Sequence, residues 1–162
     1  MQEALIAAGF LVAAALSASY AFTRLPGSID PPQLVEAGSQ ELALPVAGLE
    51  DGHLHRFGVQ IDGTVVRFFA MQVSSSKLAT AFDACQVCGA SGYVEDKGRL
   101  VCVACAADIV PGTVGVSGGC NPIPLASRLE DGTLHVALSD LRLQVAAFRQ
   151  AEGRAPIAPP TR

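Results

Sequence analysis

The sequence predicts a small, mainly β domain built from β-hairpins, with Cys-x-x-Cys metal knuckles and a C-terminal helix, preceded by one transmembrane helix. Three observations lead to this fold class. An apolar run stands near the N-terminus, β-rich runs are joined by short Asp-Gly turns, and two Cys-x-x-Cys pairs follow them. With 162 residues, the chain has room for one domain of ordinary size between its two ends.

The N-terminal apolar run covers residues 4–22 and contains no charged side chain. At a rise of about 1.5 Å per residue, a helix of that length nearly crosses a hydrocarbon core of about 30 Å. We therefore expect residues 1–24 to be an uncleaved transmembrane anchor. A cleaved secretory signal is the alternative, which the small residues 17–19 allow. A signal normally starts with a basic region, however, and Glu3 is the only charged side chain before the run.

The remainder of the chain divides into a linker, one domain and a tail. Residues 25–39 contain three prolines and no sustained periodicity, which is typical of a linker. Residues 40–152 are expected to form a metal-binding, β-rich domain. Residues 153–162 again contain three prolines and are expected to be a disordered tail.

The charge pattern and the missing motifs argue against several functions. A formal net charge of −4 without a basic cluster argues against a nucleic-acid partner, and no polybasic lipid-binding patch is present. Only Glu3 and Arg24 lie close to the apolar run, so the positive-inside rule does not fix its orientation. No Gly-x-Ser-x-Gly, Walker or protease-like Cys/His pattern occurs. We expect no catalytic residues and favour a protein that is not an enzyme.

The first β-rich unit after the linker is a strand at residues 40–46, followed by the clearest hairpin in the chain. Residues 53–61 and 64–73 are joined by Asp62-Gly63, a dipeptide favoured in two-residue type I′ turns because both positions need positive φ. The turn fixes the register of the two strands.

That register determines which side chains share a face. Phe57 is expected to pair with Phe68, and His55 with Ala70. His55 and Phe57 alternate onto the same face of their strand, which the apolar partners identify as the core face. We therefore expect His55 to point inward.

The segment that carries the cysteines mixes both kinds of element. Residues 74–76 can cap a short helix at residues 77–84. Residues 93–95 and 99–101 are expected to pair as strands across a turn at residues 96–98. This hairpin would bring the two Cys-x-x-Cys pairs together.

The last third of the chain starts with a short segment of either type at residues 106–110 and an irregular glycine-rich loop. Residues 125–129 and 133–138 are expected to form another hairpin. Ser139 then caps a closing helix at residues 140–151. The core-facing residues of that helix recur at helical spacing: Leu141, Val145 and Phe148.

Cys85, Cys88, Cys102 and Cys105 are the strongest candidate ligands. Two Cys-x-x-Cys pairs supply the four thiolates that a tetrahedral metal or an iron-sulfur cluster requires. The alternative is that these cysteines form structural disulfides or are inert thiols. In that case, the repeated Cys-x-x-Cys spacing would be a coincidence. The interval between the pairs is slightly short for a zinc ribbon, which separates its pairs by about 15–20 residues, and the ligand set accepts zinc, mononuclear iron or a cluster.

Cys120 is a fifth soft ligand that a four-coordinate structural site does not need. It could bind a second metal or belong to a polynuclear centre. Alternatively, it is a small buried hydrophobe in the turn.

The three histidines differ in their prospects as ligands. His55 is a candidate further ligand because neutral imidazole binds iron and copper, although a core-facing histidine is more often a hydrogen-bonded structural residue. His53 stands at the strand start, where a solvated side chain is expected. His135 is out of phase with its apolar neighbours and is expected to be exposed.

The residues around the cysteines are similar to those of a known family. The matching motifs are Phe82-Asp83-Ala84-Cys85-Gln86-Val87-Cys88-Gly89, Gly92-Tyr93, Val101-Cys102-Val103-Ala104-Cys105 and Gly118-Gly119-Cys120-Asn121-Pro122-Ile123-Pro124-Leu125. Together with Leu54-His55-Arg56-Phe57 and Val66-Arg67-Phe68-Phe69, they resemble the membrane iron-sulfur FtrD-like family. The likeness extends over residues 49–138, and Gly-Gly-Cys-Asn-Pro is its most specific part.

The resemblance implies a bacterial, membrane-associated iron-sulfur protein of ferrous iron uptake systems. Such proteins are thought to pass electrons to or from a permease and periplasmic iron-binding partners. The resemblance strengthens Cys120 and His55 as ligands beside Cys85, Cys88, Cys102 and Cys105. Many members carry several membrane helices before this domain, whereas one is expected in this chain.

We therefore expect a single-pass protein of the bacterial inner membrane, with its domain in the periplasm, that transfers electrons through an iron-sulfur cluster or iron. Its expected partners are the membrane and membrane proteins such as a permease or a redox subunit. One alternative is a structural zinc site in an accessory subunit of a membrane complex. Another is binding and delivery of iron or copper.

Overall fold

The structure is a computed structural model that describes residues 29–153. The predicted anchor at residues 1–24 and nearly all of the predicted tail lie outside the described residues. Among residues 29–153, no helix is long and apolar enough to cross a membrane.

The described part is mainly β with a short helical C-terminus, as the sequence predicts. Its strands are β1 (Gln33–Leu34), β2 (Glu41–Pro45), β3 (His55–Ile61), β4 (Thr64–Ser74), β5 (Lys77–Cys85), β6 (Tyr93–Asp96), β7 (Arg99–Cys102), β8 (Asp108–Ile109), β9 (Pro122–Pro124), β10 (Arg128–Glu130) and β11 (Thr133–Ala137). A 3₁₀ turn covers Pro111–Thr113, and the helices are α1 (Leu138–Arg142) and α2 (Val145–Glu152).

The strands form three sheets. The largest has the order β1-β3-β4-β5-β9, and the smaller ones have the orders β10-β11-β2 and β6-β7-β8. The predicted linker contributes to the largest sheet, because β1 pairs in parallel with β3. Along the chain, β6 and β7 connect the first Cys-x-x-Cys pair to the second, and β7 ends at Cys102. Strand β8 follows the second pair and precedes the loop that leads to Cys120.

The hairpin of β3 and β4 confirms the register that the sequence predicts. Phe57 pairs with Phe68, and His55 pairs with Ala70. The connecting Asp62 and Gly63 both have positive φ, at 49° and 79°. A two-residue turn of this kind matches the right-handed twist of the flanking strands.

The helix predicted at residues 77–84 is wrong, because this segment is strand β5. Ser75 and Ser76 form a tight turn, and Ser74 pairs with Lys77 across it. The strand then lies between β4 and β9 and is buried on both faces. A strand covered on both faces shows no alternation of polar and apolar residues, so the sequence carries no periodic signal for it.

The two faces of the large sheet support separate hydrophobic cores. One face carries Phe57 and Phe68 and packs against β2, β11 and the helices, with Phe148 fully buried. The opposite face carries Phe69, which packs with Tyr93 and the cysteine-bearing segments. The cysteines therefore belong to the face of the sheet that does not carry Phe57.

The hairpin of β10 and β11 is confirmed, but the closing helix differs from the prediction. It is broken into α1 and α2. Between them, the N–H groups of Leu143 and Gln144 donate to the carbonyls three residues earlier, as in a 3₁₀ turn. Ser139 lies inside α1, which starts after Ala137 without a side-chain cap, so the predicted cap is wrong. The predicted core residues are buried: Leu141, Val145 and Phe148.

Candidate metal centre

The first Cys-x-x-Cys pair forms a tight turn at the end of β5. The backbone groups of Cys85 and Gly89 exchange two hydrogen bonds of 3.0 Å, and the N–H of Cys88 donates to Cys85 Sγ at 3.0 Å. Gly89 has a φ of +67°, in the left-handed region that favours glycine. The turn therefore presents Cys85 and Cys88 from one short loop, with an amide directed at sulfur.

The second pair follows the hairpin of β6 and β7, which confirms the predicted pairing around Lys97 and Gly98. Its turn resembles the first: the Ala106 N–H donates to the Cys102 carbonyl at 2.9 Å, and the Cys102 N–H donates to the Ala107 carbonyl at 3.0 Å. Because Tyr93 pairs with Cys102, the hairpin returns the chain to the first pair.

The fifth cysteine is held by a loop that has little regular structure. The Tyr93 hydroxyl donates to the Cys120 carbonyl at 2.7 Å, and Asn121 Nδ2 donates to the Val116 carbonyl at 3.3 Å. Thr113 Oγ1 lies 3.3 Å from Asn121 Oδ1. These contacts fix the loop so that Cys120 lies beside the second pair.

All five cysteine sulfurs come together in two overlapping groups. Cys85, Cys88 and Cys102 form one, and Cys88, Cys105 and Cys120 form the other, with the sulfurs of each group within 4.8 Å of one another. Cys105 Sγ and Cys120 Sγ are 3.4 Å apart. Cys88 is the sulfur that both groups share.

The structure does not bring His55 into either group. Its Nε2 lies 2.8 Å from Asp51 Oδ1, and its side chain is half-buried. His55 lies on the face of β3 that carries Phe57, whereas the cysteines lie across the opposite face of the sheet. The ligand set that the structure assembles is therefore five thiols without an imidazole.

The other two histidines are also apart from the thiols. His53 is exposed, as expected, and its Nδ1 lies 3.4 Å from Glu95 Oε2. His135 is less exposed than the sequence predicts, because its Nδ1 contacts Glu41 Oε1 at 2.9 Å and β2 covers it.

The protein-family comparison matches residues 49–148, which include all five cysteines, to a family described as membrane iron-sulfur containing protein FtrD-like. The chain belongs to this FtrD-like family. The match covers more than half of the chain and confirms the resemblance seen in the cysteine motifs. Neither the comparison with curated proteins nor that with solved structures gave a match.

A buried ion-pair network, which the sequence does not reveal as a unit, supports the cysteine loops of this FtrD-like domain. Asp83 is fully buried and accepts from Arg56 Nε at 3.0 Å, Arg67 Nε at 3.2 Å and the Tyr93 N–H at 2.9 Å. Arg56 also donates to the Tyr93 carbonyl, and Arg67 donates to the Ala90 carbonyl at 2.7 Å. The network ties the chain between Cys88 and β6 to the central sheet.

Burial divides the sulfurs into an inner and an outer part. Cys85 and Cys102 are buried, Cys88 and Cys120 are half-buried, and Cys105 is exposed. The inner sulfurs pack with the core around Phe69. The outer pair, Cys105 and Cys120, is the part of the centre that reaches the surface.

The thiol pKa values differ within the cluster. Burial raises the pKa of Cys88 and of Cys102. The Cys105 pKa lies below its ordinary value, chiefly because the Ala107 N–H donates to its sulfur. The hydrogen bond to Cys105 raises the pKa of Cys120 to about 11, since the Cys120 thiol keeps the proton that the Cys105 sulfur accepts.

The metal-free protein should therefore react first at Cys105. Its thiolate is favoured and its side chain is exposed, and the thiolate is the nucleophile in alkylation. At neutral pH, iodoacetamide is expected to modify Cys105 before Cys102 or Cys88, as measured by peptide mass spectrometry over time. Faster modification of Cys102 than of Cys105 would contradict this assignment.

The donor set fits an iron-sulfur group of the kind that the family description names. Thiolates are the ligands of such clusters, and amide hydrogen bonds to sulfur are a usual support. The Cys88 N–H is an amide of this kind, and it points at Cys85 Sγ. Binding would replace the thiol protons, so metal affinity is expected to rise with pH.

Proposed function

We propose that this FtrD-like chain holds an iron-sulfur centre on its five cysteines and transfers electrons in a membrane complex, such as a ferrous iron uptake system. The observation that carries the proposal is the joining of the sulfur groups through Cys88. A structural zinc site is closed by four ligands, and a fifth converging thiol exceeds that need.

The chain's own residues would hold the centre and adjust its charge. An iron-sulfur centre, when bound, supplies a group that accepts and releases an electron without bond rearrangement in the protein. The N–H of Cys88 donates to Cys85 Sγ at 3.0 Å and would stabilise the more negative, reduced state.

The exposed side of the sulfur cluster supports exchange of electrons with a partner. Cys105 is exposed and lies 3.4 Å, sulfur to sulfur, from half-buried Cys120. Electrons would therefore enter or leave at this outer pair, whereas Cys85 and Cys102 are shielded from solvent.

Family membership supports a membrane location, and the apolar residues 4–22 support a single anchor. We place the domain on the periplasmic side of a bacterial inner membrane, with a permease or another redox subunit as its partner. A structural zinc protein and an iron- or copper-delivery protein are the competing functions.

Metal and sulfide analysis of the purified full chain, combined with visible absorption, tests the proposal. Iron, acid-labile sulfide and a visible band that bleaches on reduction are expected. Cys120→Ser is expected to change the spectrum and lower the iron content, whereas the matched control Ser127→Ala leaves both unchanged. A colourless protein with one zinc per chain would favour the structural role, and rapid chelator exchange without loss of fold would favour delivery.

A further inference from the structure

The described chain enters the fold directly beside the cysteine loops. Ile29 Cδ1 lies so close to Gly92 that a β-carbon on Gly92 would approach it to 2.8 Å. The Asp30 carbonyl accepts from Arg56 Nη1 at 3.1 Å. Ile29 therefore lies against the segment between Cys88 and β6, and Asp30 is bonded to Arg56 of β3.

Gly92 is itself part of the support of the second cysteine pair. Its carbonyl accepts the N–H of Val103 at 3.0 Å, and Val103 lies between Cys102 and Cys105. The entry point of the chain and the second cysteine pair are thus joined through one residue. Ile29 therefore lies on the side of the domain that carries the candidate centre.

The distance from this entry point to the apolar segment is short. Residues 4–22 are the apolar run, and seven residue-to-residue steps separate Phe22 from Ile29. Such a length of chain spans at most about 25 Å when fully extended. A domain of this size has a radius of gyration of about 14 Å. The short connection therefore favours an orientation in which the side of the domain around Ile29, and not the opposite side, lies next to the bilayer.

Three exposed valines lie on the loops that carry the cysteines. Val87, Val110 and Val116, which we call the valine rim, are 69%, 65% and 51% exposed. Val87 lies inside the first Cys-x-x-Cys turn. Val110 and Val116 lie on the loop that ends at Cys120, and both of their carbonyls accept hydrogen bonds, from Thr113 and Asn121 respectively.

We propose that the valine rim rests on the bilayer that holds the chain's own anchor, so that the outer sulfurs face the membrane surface. This inference rests on the membrane anchor of the proposed function. The occupant is the apolar boundary of the lipid layer, because the rim side chains are apolar and the sequence has no basic cluster that would attract anionic headgroups. Electron exchange then takes place at the membrane surface.

Tryptophan fluorescence tests this orientation cleanly, because the sequence contains no tryptophan. Val116→Trp places one fluorophore on the rim, and Val110→Trp is a second rim probe. Leu129→Trp is the matched control, since Leu129 is 59% exposed on β10, in a sheet that packs on the other face of the central sheet. Each full-length variant is placed in phosphatidylcholine vesicles with and without brominated acyl chains.

Bromine is expected to reduce the emission of both rim variants by about half, because interfacial side chains lie about 5–10 Å deep, and to leave Leu129→Trp unchanged. The ratio between the two vesicle types cancels quenching by the metal centre. Equal ratios for rim and control, no quenching at the rim, or failure of the chain to float with vesicles would overturn the proposal. If the rim variants are not quenched, the valine rim is instead available to bind a membrane protein.

Iron and sulfide in the floated fraction decide the proposed function separately. Rim quenching in a zinc-containing, colourless protein would support the orientation and reject the electron carrier. An iron-sulfur spectrum without rim quenching would support the electron carrier and reject the orientation.

Discussion

Replacing Cys88 with serine is expected to weaken metal binding more than replacing any of the outer cysteines. Cys88 is the sulfur that both groups share, so its loss leaves each group with two sulfurs. Loss of a ligand should exceed the 10–100-fold effect of outer-shell changes, so we expect a drop in metal affinity of more than about 100-fold. Serine oxygen is a poor substitute because it is a harder ligand than thiolate.

The measurement is iron and sulfide per chain after purification, with Cys105→Ser and Cys120→Ser as matched controls. Each control removes a sulfur from the outer group alone and leaves Cys85, Cys88 and Cys102 together. These variants should keep a larger share of the metal and show altered spectra. Equal metal content in Cys88→Ser and Cys105→Ser would show that the two groups are independent.

Local turn chemistry made the hairpins predictable. Asp62-Gly63 and Asp131-Gly132 each have positive φ at both positions, which few dipeptides tolerate. Once such a turn is placed, the strand register follows by counting, as the pairing of Phe57 with Phe68 shows. The two Cys-x-x-Cys pairs were predictable for a similar reason, since their geometry depends on residues close in sequence.

The role of His55 depends on which element covers each face of β3. Alternation correctly placed His55 on the face of Phe57, but both faces of the central sheet are buried under different elements. The cysteine loops cover the face that carries Arg56 and Phe69. The residues next to His55 in the sequence do not determine which element covers each face of β3, because this depends on tertiary packing.

Strand β5 and Asp83 illustrate the same difficulty. A run with three alanines, buried on both faces, gives neither a helical nor an alternating pattern. Once the segment is a strand, Asp83 and Cys85 alternate onto the same face, and Asp83 meets Arg56 of β3 and Arg67 of β4. A lone buried carboxylate can be recognised as part of an ion-pair network only when these strands are placed side by side.

Asp83→Asn is expected to destabilise the domain by about 3–5 kcal/mol, the range observed when one partner of a buried ion pair is removed. Asp83 is fully buried, and the Arg56 and Arg67 side chains are 6% and 22% exposed, so the substitution leaves two guanidinium groups without their counter-charge. The free energy of unfolding from urea denaturation measures the effect. Asp108→Asn is the matched control, because the Asp108 pair with Arg99 is exposed and little change is expected.

A purely structural role for Asp83 and a role in positioning the centre predict different results for the reduction potential. Asp83 lies two residues before Cys85 on the same face of β5, and it binds the Tyr93 N–H that begins the intervening hairpin. Loss of its negative charge beside the ligands should favour the reduced, more negative state and raise the potential. Arg67→Lys keeps the charge but alters the hydrogen bonds, so it should weaken the fold with a smaller shift. An Asp83→Asn centre with an unchanged potential would restrict Asp83 to holding the loop in place.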